Sequence, residues 1–247
     1  MKFSHSICAL FTLLSCSTFA ANDTQSLPVC PTTSHQLSHN DTFGVQYQLS
    51  GAQHGTLQLL RSQAQTAYYN PENGVAEWWN FAIADHPSFI RVFAKHQRRI
   101  DYYTGDLRTL NIKVSQAEME SFATAQLLKQ LSHKGPATCD GSQVYEGDVK
   151  QMHYRVIWSD ELGLPLELSI THNGQTKQWQ AQKLIPANEV ELTLSRWQQF
   201  SDTDYADIGD NETDPFLAQM INQGFVEHSE HAVYDSKGKP MHGEHIH

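Results

Sequence analysis

An α+β fold, built as one curved antiparallel β-sheet (a half-barrel) with a single amphipathic helix packed on it, is what this 247-residue sequence predicts. Three observations predict it. Apolar and polar residues alternate with a period of two through much of the chain, which gives a strand one buried and one wetted face. Turn chemistry, Gly beside Asn, Asp or Pro, recurs between those runs. Only one long stretch, residues 115–133, repeats its apolar residues at helical spacing behind a start signal. Strands that follow one another without intervening helices pair as antiparallel neighbours rather than through crossovers.

The elements follow in order. Residues 1–20 read as an export signal, with Lys2 as its charge, an apolar run over 7–14, and Thr18 and Ala20 as the small residues of a cleavage site before Ala21. The run is shorter than the roughly 20 apolar residues a membrane-spanning helix needs. A second reading occupies the same segment, because Leu13, Leu14, Ser15 and Cys16 match a lipobox whose cysteine would carry the lipid anchor. Residues 21–42 are polar and form an extended lead-in. Phe43, Val45, Tyr47 and Leu49 alternate as a first strand, and residues 56–61 return after a turn between Gly51 and Gly55. Ala67, Tyr68 and Tyr69 lead into the turn Asn70-Pro71-Glu72-Asn73-Gly74, and residues 75–83 come back with Trp78, Trp79 and Phe81. Residues 89–94 and 100–103 add two strands, and a turn at Thr104-Gly105-Asp106 leads into another over 107–112.

The helix over 115–133 starts with a capping box, Ser115 and Glu118, and shows Met119, Phe122, Ala123, Leu127 and Leu131 on one face, with Gly135 as its stop. Beyond it, Met152, Tyr154, Val156 and Trp158 alternate, as do Leu166, Leu168 and Ile170. Asn173-Gly174 is a hairpin turn into residues 175–183, and Val190, Leu192 and Leu194 read as a further strand. The β domain is thus expected over residues 43–200. Residues 201–247 are expected to be an acidic loop, a short helix with Asp214 as cap and Pro215 first, and a His-rich tail.

Charge narrows the partners. With 17 Lys and Arg against 27 Asp and Glu, the net charge of −10 repels phosphate backbones, which excludes nucleic acid. No GxSxG, GxGxxG, phosphate loop, HExxH or CxxC pattern occurs, so an enzyme would need groups that meet only in the folded chain. The mature chain keeps Cys30 and Cys139, which read as a disulfide in an oxidising compartment, with metal ligation as the rival reading.

Four clusters bear on candidate chemistry. The tail places His228, His231, His242, His245 and His247 beside Glu227, Glu230, Glu244 and Met241, a donor set suited to zinc, nickel or copper or simply to a solvated terminus. The aromatic group Tyr68, Tyr69, Trp78, Trp79 and Phe81 reads as core or as a ligand-binding lining; Trp78 and Trp79, adjacent on one strand, must face opposite sides. The acidic run Asp202, Asp204, Asp207, Asp210, Glu212 and Asp214 fits neither register of an EF-hand calcium loop and reads as a solvated loop that caps the following helix, with calcium binding as the rival reading. Arg91, Lys95, Arg98 and Arg99 form a basic group, read as a solvated face or as partners for nearby acidic residues.

The run Gly55 to Arg61 followed by Tyr68-Tyr69-Asn70-Pro71-Glu72, and Gly163 to Ile170 with its Asn173-Gly174-Gln175 hairpin, resemble the sheet of periplasmic lipoprotein carriers (LolA/LolB-like). That resemblance covers about residues 43–200 and implies an incomplete barrel that wraps a helix and shelters acyl chains or a protein partner. The function expected is an exported binding protein of a Gram-negative-type cell envelope, taking an apolar ligand such as lipid or docking an envelope protein. The other two readings are a periplasmic metal-binding protein using the tail, and an enzyme with a dispersed site.

Overall fold

The computed structural model describes residues 42–225, except 53, 84–85, 123, 140 and 210–212, together with Cys30. The described residues form one open sheet of twelve strands. Its first half comprises β1 (Phe43–Gly51), β2 (Gly55–Ser62), β3 (Gln65–Asn70), β4 (Val75–Asn80), β5 (Ser88–Phe93) and β6 (Arg98–Tyr102). The second half comprises β7 (Ser132–Pro136), β8 (Ser142–Val149), β9 (Met152–Ser159), β10 (Leu164–His172) and β11 (Gln175–Ile185). A short β12 (Ser201–Asp204) closes the list. Each half is a meander, and the two join where β1 pairs with β11, giving the order β12-β6-β5-β4-β3-β2-β1-β11-β10-β9-β8-β7. Every pairing is antiparallel apart from β12 on β6.

Three expectations from sequence are corrected. The single helix over 115–133 is two short helices, α2 (Gln116–Glu120) and α3 (Thr124–Leu128), broken at Phe122, whose φ is +57°. The Ser115–Glu118 capping box is present, but Gly135 is not a helix stop; it lies in β7 at a register shift. Residues 107–112 do not make a strand: α1 spans Thr104–Thr109, its start closed by the Asp106 carboxylate accepting from Tyr103 N–H at 2.8 Å. Nor is the run at Val190, Leu192 and Leu194 a strand. It lies in α4 (Ala187–Gln198), where Val190, Leu194 and Trp197 share one buried stripe and Leu192 is 66% exposed.

The C-terminal part behaves partly as expected. Ser201–Asp204 pairs beside β6 rather than looping, because Arg98 and Arg99 on β6 meet Thr203, Asp202 and Asp214. α5 (Pro215–Asn222) has the expected cap, Asp214 Oδ1 accepting from Phe216 N–H at 2.8 Å, and Gly224 ends it with φ +73°.

Pairing register sorts the core. Residues opposite one another in antiparallel strands share a face, so Val45, Leu59, Tyr68, Glu77, Arg91 and Ile100 form one row across β1 to β6. On this face α1 and α5 cover β4 to β6, burying Trp79, Phe89, Phe93, Leu107 and Leu217 together. Phe122, Leu127 and Leu131 of the α2–α3 segment cover Val156, Leu168 and Trp179 of the second half. The opposite face of β2 to β5 carries Leu60, Ala67, Trp78 and Val92 under α4. The sheet bends toward the α2–α3 side. Arg61 on β2 donates at 3.0 Å to the carbonyl of Leu162 in the turn that leads into β10, a strand three spacings away, about 14 Å in a flat sheet. Among the described residues, no helix is long and apolar enough to cross a membrane.

Candidate functional site

The face under α2 and α3 is where the chain places aromatic and buried charged groups together. Tyr47 on β1 and Tyr68 on β3 point inward from alternating strands. Phe122 lies against both, its ring centroid 5.6 Å from each and nearly parallel to Tyr47, and it meets Trp179 edge-on at 6.1 Å. This packing explains the helix break: a regular helix would carry residue 122 along its own stripe, whereas the left-handed turn delivers the ring into the groove. A non-glycine residue held there costs on the order of 1–2 kcal/mol, which the aromatic contacts offset.

Polar groups surround that plug. The Tyr68 hydroxyl donates to the Met119 carbonyl at the end of α2, and the Tyr47 hydroxyl donates to the Pro165 carbonyl at 2.9 Å. Burial pushes both phenols well above their ordinary value; the Arg61 guanidinium pulls the other way in each case. Arg61 lies 5.0 Å over the Phe43 ring. Burial lowers its pKa, opposed first by Glu120 of α2, itself buried and accepting from Gln116 Nε2 at 2.7 Å. Three strands further on, on β5, Arg91 is wholly buried, pairs with Glu77 at 3.3 Å and donates to the Phe225 carbonyl at 2.7 Å just beyond α5.

These groups bond backbone carbonyls and each other. A phenol held above its usual range is a hydrogen-bond donor and a poor base, and a paired buried guanidinium is a fixed charge. The arrangement therefore fastens α2 and the end of α5 to the sheet, and its chemistry is positioning rather than proton transfer.

The five aromatics singled out from sequence do not line one space. Tyr68, Trp79 and Phe81 lie on the α2–α5 side, Trp79 and Phe81 stacked with centroids 6.3 Å apart in the core under α5. Tyr69 and Trp78 lie on the opposite face against Trp197 of α4. Trp78 and Trp79 are both buried, so each face has its own covering layer.

Arg61, Glu77 and Glu120 were not singled out from sequence, and Arg91, grouped there with Lys95, Arg98 and Arg99 as a solvated face or a partner of acidic residues, is buried and paired with Glu77. A signal existed for three of them: each is a charge at an inward position of an alternating strand, Glu77 between Val75 and Trp79, Arg91 between Phe89 and Phe93, and Arg61 two residues after Leu59.

Cys30 and Cys139 are joined, with Cα atoms 5.3 Å apart, so the disulfide reading holds and metal ligation by the pair does not. Cys139 is buried beside Leu162 and Leu164, which anchors residue 30 to the second half of the sheet. His228, His231, His242, His245 and His247, like Cys16 and the signal over 1–20, lie outside the described residues. Among the described residues, no group of three His, Cys, Asp or Glu side chains is placed to hold a metal ion.

Both sheet edges carry features that discourage strand addition. β7 offers exposed Lys134 and Pro136, and β12 offers Asp202 and Asp204.

No protein-family model matches the chain, and no curated protein matches it. Solved structures give partial likenesses. Two structures of PNGF-II share 13% identity with this chain, over 68% and 66% of it and 32% and 30% of theirs, with TM-scores of 0.36 and 0.38. The complex structure of Pseudomonas aeruginosa MucA/MucB shares 13% identity over 60% of this chain and 54% of that chain, with a TM-score of 0.29. The chain thus spans about a third of the PNGF-II chain and about half of the MucA/MucB chain it matches.

Proposed function

We propose that this protein is an exported binding protein of the cell envelope that shelters an apolar ligand on the half-barrel face now covered by α2 and α3. The observation that carries the reading is the plug itself. Phe122, on a strained break between two five-residue helices, fills an aromatic groove made by Tyr47, Tyr68 and Trp179. Helices this short have little stability of their own, so displacing them costs chiefly the contacts Phe122 and its neighbours make. An acyl chain would replace those contacts. The Cys30–Cys139 disulfide supports an oxidising compartment such as the periplasm, in line with the export signal over 1–20. The resemblance to lipoprotein carriers supports a lipid or an envelope protein as the occupant, and lipid anchoring through Cys16 belongs to the same proposal.

Native mass spectrometry of the protein isolated from its own envelope tests the reading, together with titration by the fluorescent fatty acid cis-parinaric acid. A bound mass of lipid size is expected, as is tighter probe binding in F122A, where the plug is shortened. A bare polypeptide that takes up no probe in either form overturns apolar sheltering. Co-isolation of a stoichiometric envelope protein in place of lipid would instead name a protein as the occupant.

A further inference from the structure

On the other face of the sheet, away from α2 and α3, the C-terminal half of α4 and the 3-10 turn at Ala94–His96 border a cleft of about 540 Å³. That volume lies within the roughly 300–1,000 Å³ range of small-molecule sites. Its walls are of two kinds. Tyr69 and Phe200 supply aromatic surface above the buried Trp197, while Lys95, Arg196 and Gln97 supply donors.

The floor is rigid. Trp197 is 2% exposed, meets Tyr69 edge-on at 5.3 Å and lies 6.0 Å from Trp78 below it. Gln97 is pinned in a left-handed conformation, φ +52°, with its N–H on the Ala94 carbonyl and its own carbonyl accepting from Ser201 N–H. Polar capacity is left over. Among the described residues the half-buried Tyr69 hydroxyl and the Arg196 guanidinium have no hydrogen-bond partner, and Lys95 Nζ spends one of its three donors on the Glu72 carbonyl.

Charge selects the ligand. The protein carries a net charge of −10, yet among the described residues no Asp or Glu lines the cleft. Arg196 alone has an ordinary reason to be there, since a cation in the last turn complements the helix dipole. Lys95 comes from a different element about a hundred residues earlier, and the fold brings the two cations to one aromatic-walled space.

We propose that this cleft binds a small anion with an aromatic body, its carboxylate, sulfonate or phosphate held by Lys95 and Arg196 and its ring packed against Tyr69 and Phe200 over the buried Trp197. The site is independent of the α2–α3 groove.

Calorimetric titration of the whole mature protein with naphthalene-2-sulfonate at low ionic strength tests it, with 2-naphthol as the uncharged comparison. One saturable site is expected, with 2-naphthol at least tenfold weaker. R196Q and K95Q should each weaken the sulfonate about tenfold, and R108Q, an exposed cation on α1, should leave it unchanged. Both cleft cations are exposed, so their substitution leaves the core intact and folding can be verified by circular dichroism. Absence of saturable binding, equal affinity for the two naphthalenes, or full affinity in both cleft variants would each overturn the proposal. So would an acidic peptide that competes for the same residues where the sulfonate does not bind.

Discussion

Removing either partner of the Glu77–Arg91 pair should be among the most damaging conservative changes in this protein, and removing both should cost less than the two single losses together. The Arg91 side chain is fully buried and that of Glu77 is 8% exposed, with 3.3 Å between the charged atoms. At an effective dielectric of about 20 the attraction is about 5 kcal/mol. Most of that offsets desolvation, so the pair adds little net stability, but deleting one partner strands the other charge and costs about 3–5 kcal/mol. Glu77→Gln and Arg91→Met should therefore each fall in that range at pH 7. The double variant E77M/R91M should recover at least about 2 kcal/mol relative to the sum of the single losses. Urea unfolding followed by tryptophan fluorescence reads these values as midpoint shifts of roughly 1–2 M for the single variants. Additive losses in the double variant, or single losses below about 1 kcal/mol, would refute the reasoning.

Four further outcomes follow from other parts of the structure. Cys139→Ser should cost about 4–5 kcal/mol in the chain-entropy account, because the bridge closes a separation of 109 residues; the unfolding midpoint of C139S against the oxidised protein measures it. The β8–β9 hairpin turns through Lys150 and Gln151, both at positive φ, so K150N/Q151G should raise stability by about 1–2 kcal/mol in thermal unfolding. Gly51 has φ +87°, and an added Cβ would sit 2.0 Å from the Thr176 carbonyl oxygen, so G51A should lose at least about 2 kcal/mol and loosen the β1–β11 junction in hydrogen exchange. Burial pushes the Asp101 carboxyl up to about 6, with Arg99 opposing and Asp202 and Asp204 reinforcing. A folded pKa above the unfolded 3.8 means this group's contribution is present below pH 3.8 and lost as pH rises through about 6. The full shift corresponds to about 3 kcal/mol as an upper bound, and the expected loss is about 1–3 kcal/mol. D101N should flatten the stability profile between pH 4 and 6.5 by that amount; an unchanged slope would count against it.

Much of the sheet was legible because its signals are local. Phe43, Val45, Tyr47 and Leu49 alternate and are all buried, and Asn173-Gly174 adopts φ of +50° and +77°, the two positive angles a tight hairpin requires. The β8–β9 hairpin escaped notice because Lys150 and Gln151 carry no turn signature, although they take the same angles. β7 was hidden too: its residues are mostly exposed, so pairing with β8 rather than burial makes it a strand. The candidate site was half visible. Tyr68, Tyr69, Trp78 and Trp79 stood out as aromatic, but their division between two faces needed the register of β3 against β4 and knowledge of what covers each side.

By itself the sequence determined that the chain is a mainly antiparallel sheet, where many of its strands and two of its caps lie, and that Cys30 and Cys139 would meet. These follow from alternation, turn residues and paired thiols, which depend on neighbours within a few positions or on composition. Tertiary structure alone decided the rest. Val190, Leu192 and Leu194 satisfy a period of two, and Val190, Leu194 and Trp197 satisfy a helical one. The apolar face of Leu60, Ala67, Trp78 and Val92 had to be covered, and a helix presenting Trp197 covers it, so the helical period prevailed. Phe122 likewise left its helix because the groove between Tyr47, Tyr68 and Trp179 returns more contact energy than a continuous helix would there. Local preference differs between such options by about 1 kcal/mol, while burying a large aromatic side chain is worth about 2–3 kcal/mol, so the long-range surface settles the choice.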